Sequence, residues 1–174
     1  MTSIEKTELI RKAREIALRL NRAEFPIVLG CSASCTRDVI DQTIHAKAAG
    51  ADAALVLVPS FFHFAMTPSA IVAFFRELAD ESPIPILIYN YPDVAAGIDV
   101  NSDMLDILGR HENIVGVKLT CGGIAKVARV AAAFDTSEFC ALAGQSDWLI
   151  PALSAGGTGC ITGLANLFPK VSVS

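Results

Sequence analysis

The chain has 174 residues, enough for one domain with a substantial core and short for two. Apolar residues make up 52% and charged residues 18%, which suits parallel strands covered on both faces, or a piece cut from a larger core. A net charge of -4 gives no electrostatic reason to expect nucleic acid, and no basic amphipathic helix suggests a membrane surface.

Met1-Thr2-Ser3-Ile4-Glu5-Lys6 has no apolar run behind a basic start, so no secretory signal is visible. The apolar stretches are broken by Pro59, His63 or glycines, and none reads as a transmembrane helix. Thr2-x-x-Glu5 has the form of a capping box, and Leu9, Ala13, Ile16 and Leu20 follow at helical spacing to near Asn21. Residues 25–31 (FPIVLGC) are a short apolar run between turn residues, hence a buried strand. Residues 36–49 read as a helix stopped by Gly50, and residues 53–58 (AALVLV) as a strand ended by Pro59. Thr67-Pro68 is an N-cap followed by proline at the first helical position, with Ile71, Phe74, Phe75 and Leu78 as the inner stripe.

The alternation then continues without a linker. Strands are expected at residues 85–89 (PILIY), 114–119 (IVGVKL), 139–143 (FCALA) and 159–162, and helices at 102–110, 124–134 and 148–155. Helix and strand in strict alternation imply parallel strands joined by right-handed crossovers. A doubly wound sheet shows a glycine fingerprint after its first strand, and Gly30-Cys31-Ser32-Ala33 is not one. A (β/α)8 barrel fits better, although six strands are two too few, so residues 1–174 are expected to be a single partial barrel domain.

Lys118 is the strongest chemical signal, because it interrupts a strand otherwise fit for burial. An ammonium taken out of water tends to lose its charge or find a partner, and a neutral amine is what a Schiff-base nucleophile requires. A lysine that merely ends a strand and snorkels to solvent fits the same pattern. Tyr89 closes the preceding strand and would share a rim with Lys118, where its phenol could relay protons or simply pack its ring. Gly144-Gln145-Ser146-Asp147 opens a helix whose N–H groups could hold a carboxylate, or is an ordinary capped turn. His45, His63 and His111 read as surface or capping residues, and Trp148 as packing. The five cysteines have no framework spacing and read as reduced thiols rather than as disulfides or zinc ligands, which points to the cytoplasm.

Tyr89-Asn90-Tyr91-Pro92, then Val115-Gly116-Val117-Lys118, then Ala143-Gly144-Gln145-Ser146 resembles the dihydrodipicolinate synthase/N-acetylneuraminate lyase family. The likeness runs through essentially the whole chain. It implies a class I pyruvate aldolase in which Lys118 forms the imine and Tyr89 relays protons. Gly144 and Ile161 would present backbone to the bound 2-oxo acid. No metal or organic cofactor is implied, because the iminium on Lys118 is itself the electron sink. The resemblance also implies a homotetramer built as a dimer of dimers.

Departures from the family pattern narrow the expectation. Synthases of the family carry an arginine shortly after the Y-N-x-P turn, whereas this chain has Asp93-Val94-Ala95-Ala96. Leu119-Thr120 is similar to the lyase branch, in which the hydroxyl-bearing residue contacts a substrate hydroxyl. Phe61 stands where many members have a relay tyrosine. Val117 to Gly122 looks like fungal-type aldolases for 2-keto-3-deoxy sugar acids or 4-hydroxy-2-oxoglutarate. The family's Gly-Thr-Thr-Gly-Glu-type segment would lie just before Met1, so two strands and the C-terminal helices are expected to be missing. The expected function is therefore cleavage of a hydroxylated 2-oxo acid. The rivals are dihydrodipicolinate synthesis from pyruvate and aspartate semialdehyde, and an inactive barrel fragment serving as a binding or assembly module.

Overall fold

Thr2 opens helix α1 (Ser3–Arg19) through a complete capping box in a computed structural model that describes residues 1–170. Helix α2 (Thr36–Ala49) follows strand β1 (Val28–Gly30) and ends on Gly50, whose φ of 103° a side chain would resist. Strand β2 (Ala53–Leu57) leads to helix α3 (Pro68–Glu81), capped by the Thr67 hydroxyl on the Ala70 N–H. Then come β3 (Ile86–Asn90), α4 (Ser102–Leu108), β4 (Ile114–Leu119), α5 (Ile124–Ala133), β5 (Cys140–Ala143), α6 (Leu149–Ser154) and β6 (Gly159–Cys160). Ile71, Phe74, Phe75 and Leu78 are buried along α3, as their spacing predicts.

The strands form one sheet in the order β1-β2-β3-β4-β5-β6, with every neighbouring pair parallel. A doubly wound sheet reverses its strand order partway across, and this sheet does not. It is wound one way only, as in a (β/α)8 barrel of which six strands are present.

Side-chain alternation separates two faces. Val56, Ile88, Leu119 and Ala143 join Phe75, Leu105 and Val127 in the apolar core under the helices. Leu87, Gly116 and Cys140 lie in register on the other face, where a Cβ added to Gly116 would meet Cys140 Sγ at 2.4 Å and Leu87 Cδ2 at 3.1 Å. Tyr89, Lys118 and Leu142 form the next layer of that same face, two residues nearer the carboxyl ends.

Two expectations need correction. The run at 25–31 pairs as strand only over Val28–Gly30, and Phe25 is 61% exposed. Side chains hold several of its earlier backbone groups, beside the backbone bond from the Asp52 N–H to the Ile27 carbonyl at 2.8 Å. The Arg14 guanidinium donates to the Phe25 carbonyl at 3.0 Å, and the Asp52 carboxylate accepts from the Ile27 N–H at 2.7 Å. Along α1, Leu9, Ile16 and Leu20 are exposed, and Ile10 and Ala17 are the buried residues. The helix packs against α2 along that narrower edge, so its wider apolar stripe faces outward.

All five cysteines are free thiols. Burial pushes the Cys31 thiol up to about 11, with the Lys6 ammonium opposing the shift, while Cys35 is exposed. Against the ordinary value of 9.0, that shift lowers the thiolate fraction near neutral pH by roughly a hundredfold. Iodoacetamide is therefore expected to label Cys35 in the native chain and to reach Cys31 only after unfolding, as peptide mass mapping would show.

Candidate active site

Pro92 lacks the N–H that would continue the ladder, so β3 stops at Asn90 and the chain turns through residues 92–94. One strand over, β4 runs to Leu119. The register pairs Tyr89 with Lys118 at the carboxyl edge of the sheet. The Lys118 Nζ lies 4.0 Å from the centroid of the Tyr89 ring, and the residue is 9% exposed. Among the described residues no carboxylate forms an ion pair with it. A ring face supplies an ammonium with about 0.5–2 kcal/mol, far less than full hydration. This is an amine largely withdrawn from water and left without a counter-ion. Tyr91 stacks beside Tyr89 with centroids 5.7 Å apart.

Thr120 lies two residues past Lys118 and is buried. Its N–H donates to the Asn90 carbonyl at 2.9 Å, but its Oγ1 has no hydrogen-bond partner among the described residues. Gly144, just beyond β5, donates its N–H to the Leu119 carbonyl at 2.7 Å. A Cβ there would fall 1.8 Å from Thr120 Oγ1, so only glycine lets this hydroxyl occupy its position. Ile161 stands on the same rim beyond β6, its N–H donating to the Ala143 carbonyl at 2.9 Å. The Ser146 and Thr162 hydroxyls bond at 2.5 Å and tie the last two loops together. Lys118, Tyr89, Thr120 and Gly144 are thus brought together, with Ile161 one strand further along.

The other candidates lie elsewhere. Neither Ser146 nor Asp147 caps α6. His111 pairs with Asp80 at 3.0 Å, and His63 sits in an exposed turn with Phe61, Phe62 and Phe64. Asn90, Asp99 and Lys126 form a hydrogen-bonded group behind Tyr89, of which only Asn90 belongs to a motif visible in the sequence. A signal existed, because Lys126 stands four residues before Val130 on the face that α5 buries.

Sheet order, winding and the rim lysine together define part of a (β/α)8 barrel with an amine at the carboxyl ends of its strands. The chain belongs to the dihydrodipicolinate synthetase family, whose model matches residues 1–174. It is 43% identical over 171 residues to a Coccidioides immitis protein named as a mitochondrial 4-hydroxy-2-oxoglutarate aldolase, covering 98% of this chain and 53% of that protein. It is 40% identical over 179 residues to the L-threo-3-deoxy-hexylosonate aldolase of Hypocrea jecorina, covering 99% and 57%. A crystal structure of a dihydrodipicolinate synthase family protein from Coccidioides immitis superposes with a TM-score of 0.86 at 42% identity, covering 99% of this chain and 54% of that one. The chain spans about half the length of the curated relatives it matches. No helix among the described residues is long and apolar enough to cross a membrane.

Proposed function

We propose that this chain carries the Schiff-base centre of a class I aldolase that cleaves a hydroxylated 2-oxo acid to pyruvate and an aldehyde. The observation that carries the reading is the Lys118 amine, buried over the Tyr89 ring with no carboxylate partner among the described residues. Its relatives' names as 4-hydroxy-2-oxoglutarate and L-threo-3-deoxy-hexylosonate aldolases support the substrate class.

The unprotonated Lys118 amine attacks the 2-oxo carbon, and the carbinolamine loses water to give an iminium. The Tyr89 phenol gives its proton to the departing hydroxide of the carbinolamine, and the phenolate so formed takes the proton from the substrate's C4 hydroxyl. The C3–C4 bond then breaks, its electron pair passing into the enamine as the aldehyde leaves. Protonation of the enamine and hydrolysis release pyruvate and restore the lysine. The ring face of Tyr89, rather than its hydroxyl, meets the amine, so proton transfer between the two passes through a water or a substrate oxygen. The lysine is the electron sink, and no further cofactor enters the scheme. Gly144 and Ile161 present backbone toward the bound 2-oxo acid, their own N–H groups being held by the Leu119 and Ala143 carbonyls.

Thr120 binds a substrate hydroxyl in this reading. An unpaired buried hydroxyl costs about 1–3 kcal/mol, which a hydroxylated ligand would recover. Thr120→Val is accordingly expected to leave the ligand-free protein as stable or up to about 1 kcal/mol more stable, and to raise KM for the hydroxylated substrate. Thermal melts and steady-state kinetics check both halves. A stability loss with unchanged KM would count against this role.

In the same proposal the protein acts on a small 2-oxo acid and assembles as a dimer of dimers, which the exposed phenylalanines at 61, 62 and 64 support. The cytoplasmic expectation gains no support from its relatives, two of which are named as mitochondrial. The test of the proposal is borohydride reduction in the presence of pyruvate, followed by peptide mapping. A reduced pyruvyl adduct on Lys118 is expected. An adduct on another lysine, or none, would overturn the reading.

A further inference from the structure

Asn90 closes β3 fully buried, and both ends of its amide are used. Its Nδ2 donates to Asp99 Oδ1 at 2.7 Å, and its Oδ1 accepts from the Val100 N–H at 3.0 Å. Lys126, in the first turn of α5, donates to that same Asp99 Oδ1 at 2.5 Å and to the Val100 carbonyl at 2.9 Å. The Asn90 carbonyl accepts from the Thr120 N–H at 2.9 Å. These bonds close a circuit. It runs from the end of β3 to residues 99–100, through Lys126 into α5, and back along the chain to Thr120, two residues past Lys118.

Tyr89 and Lys118 sit on the two strands that this circuit joins, near where their ladder ends at Asn90 and Leu119. The last backbone hydrogen bond between the two strands is the one from the Thr120 N–H to the Asn90 carbonyl, and the Asn90 side chain adds the next tie, to residues 99–100. Asn90 points to the opposite face of the sheet from Tyr89, so the Asn90, Asp99 and Lys126 side chains act from behind and do not touch the substrate. We propose that Lys126 is a positioning residue, which through Asp99 and Asn90 holds the end of β3 against β4 and so fixes Tyr89 over the Lys118 amine. This rests on the Schiff-base reading above. A misplacement of about 1 Å in a reacting pair costs up to about a hundredfold in rate, so the tether has chemical consequences. Asp99 is 46% exposed and can turn to water once Lys126 is gone, so removing the lysine loosens the tether without stranding a buried charge.

The measurement is the rate at which cyanoborohydride fixes pyruvate on Lys118, followed by mass in the whole protein. The unsubstituted protein comes first, and if it traps nothing there, the Schiff-base reading fails and takes this inference with it. Given trapping, Lys126→Met and Asp99→Ala are each expected to slow it about tenfold, with circular dichroism unchanged. Lys126→Arg should stay within about twofold, since a guanidinium reaches both acceptors. Adding Tyr89→Phe to Lys126→Met should slow trapping by less than about twofold beyond Tyr89→Phe alone, because both changes act on one group. If Lys126→Met does not fold, Lys126→Leu, which likewise strands no buried charge, carries the comparison. Trapping at the unsubstituted rate in the folded variants, or effects that multiply in full with Tyr89→Phe, would overturn the proposal.

Discussion

Lys118→Ala is expected to yield protein that folds, melts no lower than the unsubstituted chain, and carries no reducible adduct with pyruvate. Loss of an enzyme's covalent nucleophile costs on the order of 10⁵–10⁶ in kcat, or about 7–8 kcal/mol of barrier. The stability half of the prediction has a separate origin. Lys118 is buried with a ring face for company and no carboxylate partner among the described residues, so the native structure gains little from the amine. Activity and stability should therefore move independently, as they do where a fold tolerates a group for its chemistry. Lys118→Arg sharpens the result, because a guanidinium keeps charge over the ring but forms no imine at neutral pH. Aldolase activity in either variant, measured with a 2-keto-3-deoxy acid, would require another nucleophile.

The parts of this arrangement that were legible in the sequence are those set by local chemistry. Lys118 stood out because a charge among Ile114, Val115, Val117 and Leu119 has no local explanation, and a parallel strand fixes which neighbour it meets. The Thr2, Gly50 and Thr67 signals were legible because caps are decided within one helical turn. The start of β1 was not, since it depends on Arg14 and Asp52 reaching in from distant positions. The outward stripe of α1 was missed for a related reason, because spacing marks an apolar face without saying what lies against it. Asn90, Asp99 and Lys126 come from a strand, a loop and a helix, and only the folded chain shows that one Asp99 carboxylate oxygen serves the other two.

Tyr89→Phe separates the two parts of that side chain. It keeps the ring that lies 4.0 Å from the Lys118 Nζ and deletes the hydroxyl, so the amine should stay where it is. If the hydroxyl relays protons, cleavage of the hydroxylated 2-oxo acid should fall by about 10²–10³, within the range for a general acid–base group. The pyruvate adduct should still form on long incubation, because the imine's stability depends on the lysine and the carbonyl, not on the relay. Tyr89→Ala removes the ring as well, exposes Lys118, and should slow adduct formation further. A Tyr89→Phe variant with full cleavage activity would mean that the enzyme needs the ring face and not the phenol. The proton carrier would then have to come from another group on the rim, with Tyr91, stacked at 5.7 Å, as the first to replace.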